Sequence, residues 1–156
     1  MHIRLLAVGD RQPAWVDEAL TTYSGRLPRE WKFRIDAIAT ARRQKSDKSK
    51  RAMQAEGEQL LARLGDAEQV VLLDERGKHL TSRALTTRLA DWQADGRDLC
   101  FVVGGPDGVS DACRQRADFT WSLSQLTLPH GLARVLCVEQ LYRAWSLLNG
   151  HPYHRA

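Results

Sequence analysis

Two blocks decide the reading of this chain: LCFVVGGPDG, Leu99 to Gly108, and SLSQLTLPHGLARVLCVEQLYRAWSLLNGHPYHRA, Ser122 to Ala156. The first is an unbroken apolar run ending in paired glycines. That is the pattern of a parallel strand buried on both faces that opens into a tight loop. The second predicts a short Ser/Thr/Leu segment, then a helix, then a tail carrying His151, Tyr153, His154 and Arg155. Apolar residues at Val135, Val138, Leu141, Tyr142, Trp145 and Leu148 make a stripe wide enough for more than one packing neighbour. Asn149-Gly150 supplies a left-handed stop and Pro152 prevents the helix from resuming.

Working outward, strands alternate with helices. Ile3 to Val8 reads as the first strand, Phe33 to Ile38 as the second and Val70 to Leu73 as the third, with Asp74 to Lys78 a turn behind it. Leu99 opens the fourth and Thr120 to Leu123 the fifth. Pro13 starts a helix whose apolar face is Trp15, Val16, Ala19, Leu20 and Tyr23, and Thr81 or Ser82 caps another carrying Leu85, Leu89 and Trp92. No repeat, linker or low-complexity tract interrupts this alternation. The expectation is one α/β domain over residues 1–156, built on a mostly parallel sheet flanked by helices. Ligands of such sheets sit at the carboxyl ends of the strands. Three loops leave strand ends late in the chain: after Leu73, at Gly104-Gly105, and around Gln125 to Pro129.

Composition narrows the class. The 156 residues are 43% hydrophobic and 27% charged, ordinary for a soluble globular protein. No apolar run approaches the roughly 20 residues of a membrane span, and MHIRLLAVGD is too short in its apolar part for a signal peptide. A cytoplasmic protein is expected. Cys100, Cys113 and Cys137 lack metal-ligand spacing and read as reduced core residues, so no metal is expected. A net charge of +4 favours a polyanionic partner without specifying one.

GGPDG lacks both the G-x-G-x-x-G order and a P-loop's Gly-Lys-Ser/Thr, which excludes a conventional dinucleotide or triphosphate site. It serves equally as a plain strand-to-helix turn or as a backbone platform that a ligand approaches closely. SLSQLTLP carries no charge, and its backbone can offer amides and carbonyls to a flat heterocycle while its leucines cover the faces. The run from Arg42 to Arg51 is basic but without aromatic residues, which suits phosphate contact rather than base stacking. In the tail, Tyr153 can stack, Arg155 can hold phosphate and His154 can shuttle protons.

VGGPDG together with the long C-terminal block closely resembles the ribosomal RNA large-subunit methyltransferase H family of the SPOUT superfamily. The likeness continues through MHIRLLAVG, PAWVDEAL, EGEQLL and VVLLDERGK, and so covers essentially the whole chain. The resemblance implies a SPOUT-type α/β knot with a C-terminal trefoil, a homodimer, and bound S-adenosylmethionine. The implied reaction is methylation of N3 of a pseudouridine in 23S rRNA within the assembled 70S ribosome. Its cofactor loops fall on Leu73, on Gly104 and Gly105, and on Leu123, Ser124, Gln125, Leu126, Thr127 and Leu128. Catalytic roles fall on Arg143, Tyr153, His154 and Arg155, and RNA contact on His130 and Arg134, with Arg42, Arg43 and Lys45 of the basic run beside them. Two alternatives stand next to this expectation: another SPOUT methyltransferase with a tRNA or ribose 2′-hydroxyl target, and a noncatalytic ribosome-binding protein.

Overall fold

The structure, a computed structural model, describes residues 1–42 and 48–154. Arg43, Lys45 and Arg155 lie outside the described residues. Five parallel strands form one sheet: β1 (Ile3–Val8), β2 (Arg34–Ile38), β3 (Gln69–His79), β4 (Leu99–Val103) and β5 (Phe119–Ser122). Their spatial order is β2-β1-β4-β3-β5. The helices between them are α1 (Ala14–Ser24), α2 (Lys48–Arg63), α3 (Ser82–Asp95), α4 (Asp111–Arg116) and α5 (His130–Leu148).

Period-two alternation splits each central strand between two cores. Ile3, Leu5 and Ala7 of β1 with Leu99, Phe101 and Val103 of β4 face a large cluster that takes in Val16, Leu85, Leu89, Cys137, Val138 and Leu141. Leu6, Val8, Cys100 and Val102 point the other way, into a smaller cluster with Leu60, Val109 and Cys113. Both faces of the sheet are therefore covered, which is why β4 reads as an unbroken apolar run and β1 as one interrupted only by Arg4. Helix α5 packs against both α1 and α3, and the width of its apolar stripe follows from that double neighbour. The helix ends as expected, with Gly150 at φ 63°.

One strand departs from the sequence reading. Residues 74–78 were expected as a turn, but β3 runs on to His79. Leu73 and Lys78 both register with Trp121 of β5, and His79 registers with Ser122, so residues 74–77 stand out as a pouch in an otherwise continuous pairing. Gly77 makes the resumed pairing possible. A Cβ there would lie 2.7 Å from the carbonyl carbon and oxygen of Thr120 and from the carbonyl carbon of Trp121. The extension is polar and largely exposed, so it carries no hydrophobic alternation by which to recognise it.

At the opposite end of the sheet, Arg4 is buried and joins three segments. Its Nε and Nη2 donate to the two carboxylate oxygens of Glu68 at 2.8 and 2.7 Å, its Nη1 to Asp36 at 3.1 Å, and Nη2 also to the Arg63 carbonyl at 2.6 Å. Burial on its own would raise both carboxyls. Hydrogen bonds from Arg34 and Arg4 to Asp36, and from Arg4 and the Gly65 amide to Glu68, outweigh it and hold the two groups below their ordinary 3.8 and 4.5. Both carboxyls thus bind protons more readily in the unfolded chain. Their contribution to stability is complete above about pH 4.5 and is lost as the pH falls through their lower folded values. The thermal midpoint, followed by circular dichroism, is expected to fall steeply below about pH 4.5; a midpoint that stays flat there would contradict this account.

Candidate active site

The order β4-β3-β5 puts the carboxyl ends of three neighbouring strands side by side. The loops that leave them enclose a cavity of about 330 Å³, within the size range of small-molecule sites. Leu73 and the pouch residues Asp74, Glu75 and Arg76 form one part of its lining. Gly104, Gly105 and Gly108 of the glycine loop form another, and Leu123, Ser124, Leu126, Thr127 and Leu128 a third. His130 and Ala133, from the first turns of α5, complete it together with Trp121 and Arg114.

Local chemistry explains how each wall is held. In the glycine loop a Cβ on Gly104 would come 2.5 Å from Val109 Cγ1, and one on Gly105 2.8 Å from Glu56 Oε1, so only glycine lets the loop pack this tightly. Ser110 then caps α4, accepting from the Cys113 amide at 3.3 Å. In the third wall Ser122 Oγ donates to the Ser124 carbonyl at 2.9 Å, and Ser124 Oγ accepts from the Leu126 amide at 2.9 Å. Those two hydroxyls fold the uncharged segment back on itself and leave Leu126 73% exposed at the rim. Thr127 Oγ1 donates to Glu75 at 3.4 Å, closing the cleft between pouch and loop.

Eight of the nine residues expected to meet a cofactor line this one cavity: Leu73, Gly104, Gly105, Leu123, Ser124, Leu126, Thr127 and Leu128. Gln125 does not. His130, expected to face RNA, stands at the same cleft. Arg134, expected to face RNA too, is only 2% exposed. Its Nη2 donates to the carbonyls of Val8 and Gly9 at 2.7 and 2.8 Å. The expectation for Arg134 is corrected: the end of β1 presents carbonyl oxygens that need donors, and a guanidinium from α5 supplies them. Burial pushes this guanidinium down from its ordinary value.

The tail forms a separate cluster. Glu139 accepts from Arg143 Nη2 at 2.6 Å and from the Tyr153 hydroxyl at 2.8 Å. Tyr153 rests on Tyr142, ring centroids 4.5 Å apart, with the Arg143 guanidinium 5.1 Å from its ring centre. Burial, reinforced by hydrogen bonding with Glu139 and Tyr23, pushes the Tyr153 phenol above its ordinary 10, so it stays protonated. The Glu139 hydrogen bond raises Arg143 likewise. Nδ1 of His154 is buried without a hydrogen-bond partner among the described residues. Arg143 and Tyr153 are therefore gathered around Glu139, but neither they nor His154 line the cavity. Arg143 is 13 residues along α5 from His130, or about 20 Å at the helical rise per residue. Arg42 is exposed at the edge of the basic run.

Sequence reasoning missed Asp74, Glu75, Arg76, Asp107 and Arg114 in the lining, and Glu139 in the tail. The one available signal was DERG itself: a cluster of charges directly behind an apolar strand, where ligand loops begin.

A parallel α/β sheet whose late loops close on one another at the strands' carboxyl ends defines the class. A family model described as "Predicted SPOUT methyltransferase" matches residues 1–154. Within that class, the chain belongs to the ribosomal RNA large subunit methyltransferase H family. It is 50% identical over 155 residues to the protein of that name from Thioalkalivibrio sulfidiphilus, covering 99% of each chain. With the one from Alkalilimnicola ehrlichii it shares 52% over 156 residues and 100% of both, and with that of Methylococcus capsulatus 49% over 155. Among solved structures, a probable methylase family protein from Haemophilus influenzae superposes with a TM-score of 0.56 at 11% identity, over 99% of this chain and 70% of that one. That last likeness speaks to the fold alone.

Proposed function

We propose that this protein transfers a methyl group from S-adenosylmethionine to N3 of a pseudouridine in 23S rRNA, on the assembled 70S ribosome. The observation that carries the reading is the convergence of the loops behind β3, β4 and β5 on one cleft. The names of the relatives support ribosomal RNA as the substrate. On this reading residues 1–156 act in the cytoplasm as one domain with a C-terminal trefoil knot. No helix among the described residues is long and apolar enough to cross a membrane.

The lining suits the donor. Leu73, Val103, Leu123 and Leu128 offer apolar surface for a flat heterocycle, and Asp74, Glu75 and Arg114 offer charge for an amino-acid end. Leu73, Gly104, Gly105 and Leu123 to Leu128 would hold it. When bound, the donor supplies a methyl group on a positively charged sulfur, a good leaving group. What remains for the chain is alignment of the acceptor and removal of a proton. The lone pair of an imide N3 is delocalised until its proton leaves, so a base is required there. His154 accepts that proton, and Arg143 and Arg155 stabilise the anion that develops. Tyr153, held protonated, stacks or donates but does not act as the base.

Because the tail cluster lies about 20 Å along α5 from His130, a second copy of the chain brings its tail to the first copy's cleft. Trp15, 56% exposed on α1, and Leu148, 38% exposed at the end of α5, supply apolar surface for such a homodimer. Arg42, with Arg43 and Lys45, then holds phosphates around the target, as does His130 at the cleft.

Purified 70S ribosomes and naked 23S rRNA, each incubated with the protein and labelled S-adenosylmethionine, test this directly. Label on N3 of one pseudouridine in ribosomes, with negligible label on naked rRNA, is the expected result. Equal labelling of both would overturn the ribosome requirement. Label on a tRNA or on a ribose hydroxyl would overturn the target, and no labelling together with no donor binding would favour a noncatalytic ribosome-binding protein.

A further inference from the structure

We infer that Arg114 is the specificity-determining residue of the cleft, receiving the carboxylate at the amino-acid end of the methyl donor. The inference rests on the donor reading above. Arg114 Nε donates to Asp74 Oδ2 at 2.8 Å, and the Asp74 side chain is only 7% exposed. One edge of the guanidinium is thereby pinned to the pouch of β3. Nη1 reaches the exposed Asp111 at 3.3 Å. Nη2 makes no hydrogen bond among the described residues, and it points to the glycine loop: a Cβ built on Gly108 would be 4.0 Å from it. Gly108 has φ 92°, so the left-handed turn and the open space beside the guanidinium come from the same glycine.

With Nε held by Asp74 and Nη1 by Asp111, Nη2 is the nitrogen left to donate, and a single charge-assisted hydrogen bond in the guanidinium plane is suited to one carboxylate oxygen. Arg76 also lines the cleft, but it is exposed, and no carboxylate among the described residues holds its side chain. Arg114 is the cation that arrives preorganised. With a carboxylate seated there, the remainder of the donor extends toward the apolar lining at Leu73 and Val103.

The test is titration calorimetry with S-adenosylmethionine and with its decarboxylated analogue, which keeps the sulfonium and the amine but lacks the carboxylate. Wild type, Arg114→Met and Arg114→Lys are compared, with circular dichroism to verify that each is folded. Arg114→Met is expected to reduce the ratio of the two affinities by about 10- to 100-fold, the effect of one charge-assisted hydrogen-bonded contact. Nearly all of that change is expected on the S-adenosylmethionine side, and Arg114→Lys is expected to restore part of it. An unchanged ratio would overturn the inference, whether both affinities stay the same or both fall by one factor, because Arg114 would then only shape the wall. Failure of the wild type to bind either compound would overturn the donor reading and this inference with it, a result distinct from the others.

Discussion

Replacing Gly77 with alanine is expected to lower the thermal midpoint by roughly 10 °C and to abolish donor binding. The added Cβ meets three backbone atoms of Thr120 and Trp121 at 2.7 Å. Backbone within a paired strand cannot rotate aside as a side chain would, so the contact is relieved only by separating β3 from β5. Overpacking of this kind costs about 3 kcal/mol, and in a domain of this size each kcal/mol shifts the midpoint by about 2–4 °C. The same separation displaces Asp74 to Arg76 from the cleft and, through Trp121 and Ser122, the loop that begins after β5. Scanning calorimetry and donor titration on the one variant check both halves. Retention of wild-type stability would mean that the pairing beyond the pouch contributes nothing.

Replacing His154 with alanine is expected to slow single-turnover methylation of ribosomes by about 10²- to 10⁴-fold, the usual contribution of a positioned general base, with donor affinity unchanged. Imidazole is the side chain suited to exchanging a proton near neutral pH, and no described residue pairs with Nδ1 of His154. Other polar groups of α5 and the tail are committed. Glu139 holds Arg143 and the Tyr153 hydroxyl, so the variant leaves the cationic and aromatic parts of the cluster in place. Loss of rate without loss of donor binding thus places the defect in the handling of the acceptor. Full single-turnover activity in the variant would assign the base elsewhere.

Some of this architecture was plain in the sequence because the physics behind it is local. Strand β4 is apolar throughout, and β1 is apolar apart from Arg4, since both faces of the sheet are covered. Thr81 is the cap of α3, accepting from the Ala84 amide at 3.1 Å, and Gly150 adopts the left-handed conformation read into Asn149-Gly150. The clustering of three loops could be read from strand order alone, since they follow strands late in an α/β alternation. Other features were hidden because their partners are remote. Arg134 is buried by carbonyls 125 and 126 residues away. Arg114 looked like one more charge on a short helix until Asp74, 40 positions earlier, was found beside it. The outer part of β3 carries no alternation because it borders solvent. Only its pairing with β5 makes it a strand.

Helix α5 has a mechanical consequence. It sets His130 at one end and the Glu139–Arg143–Tyr153 group toward the other, clamped by α1 and α3 in between. A helix gripped along its flanks cannot stretch, so its residue count works as a fixed ruler between the two halves of the apparatus. Removing one residue would shorten the ruler by only about 1.5 Å, but would turn everything beyond the deletion by about 100°. The helix can therefore tolerate exchanges of side chain far more readily than any change of length.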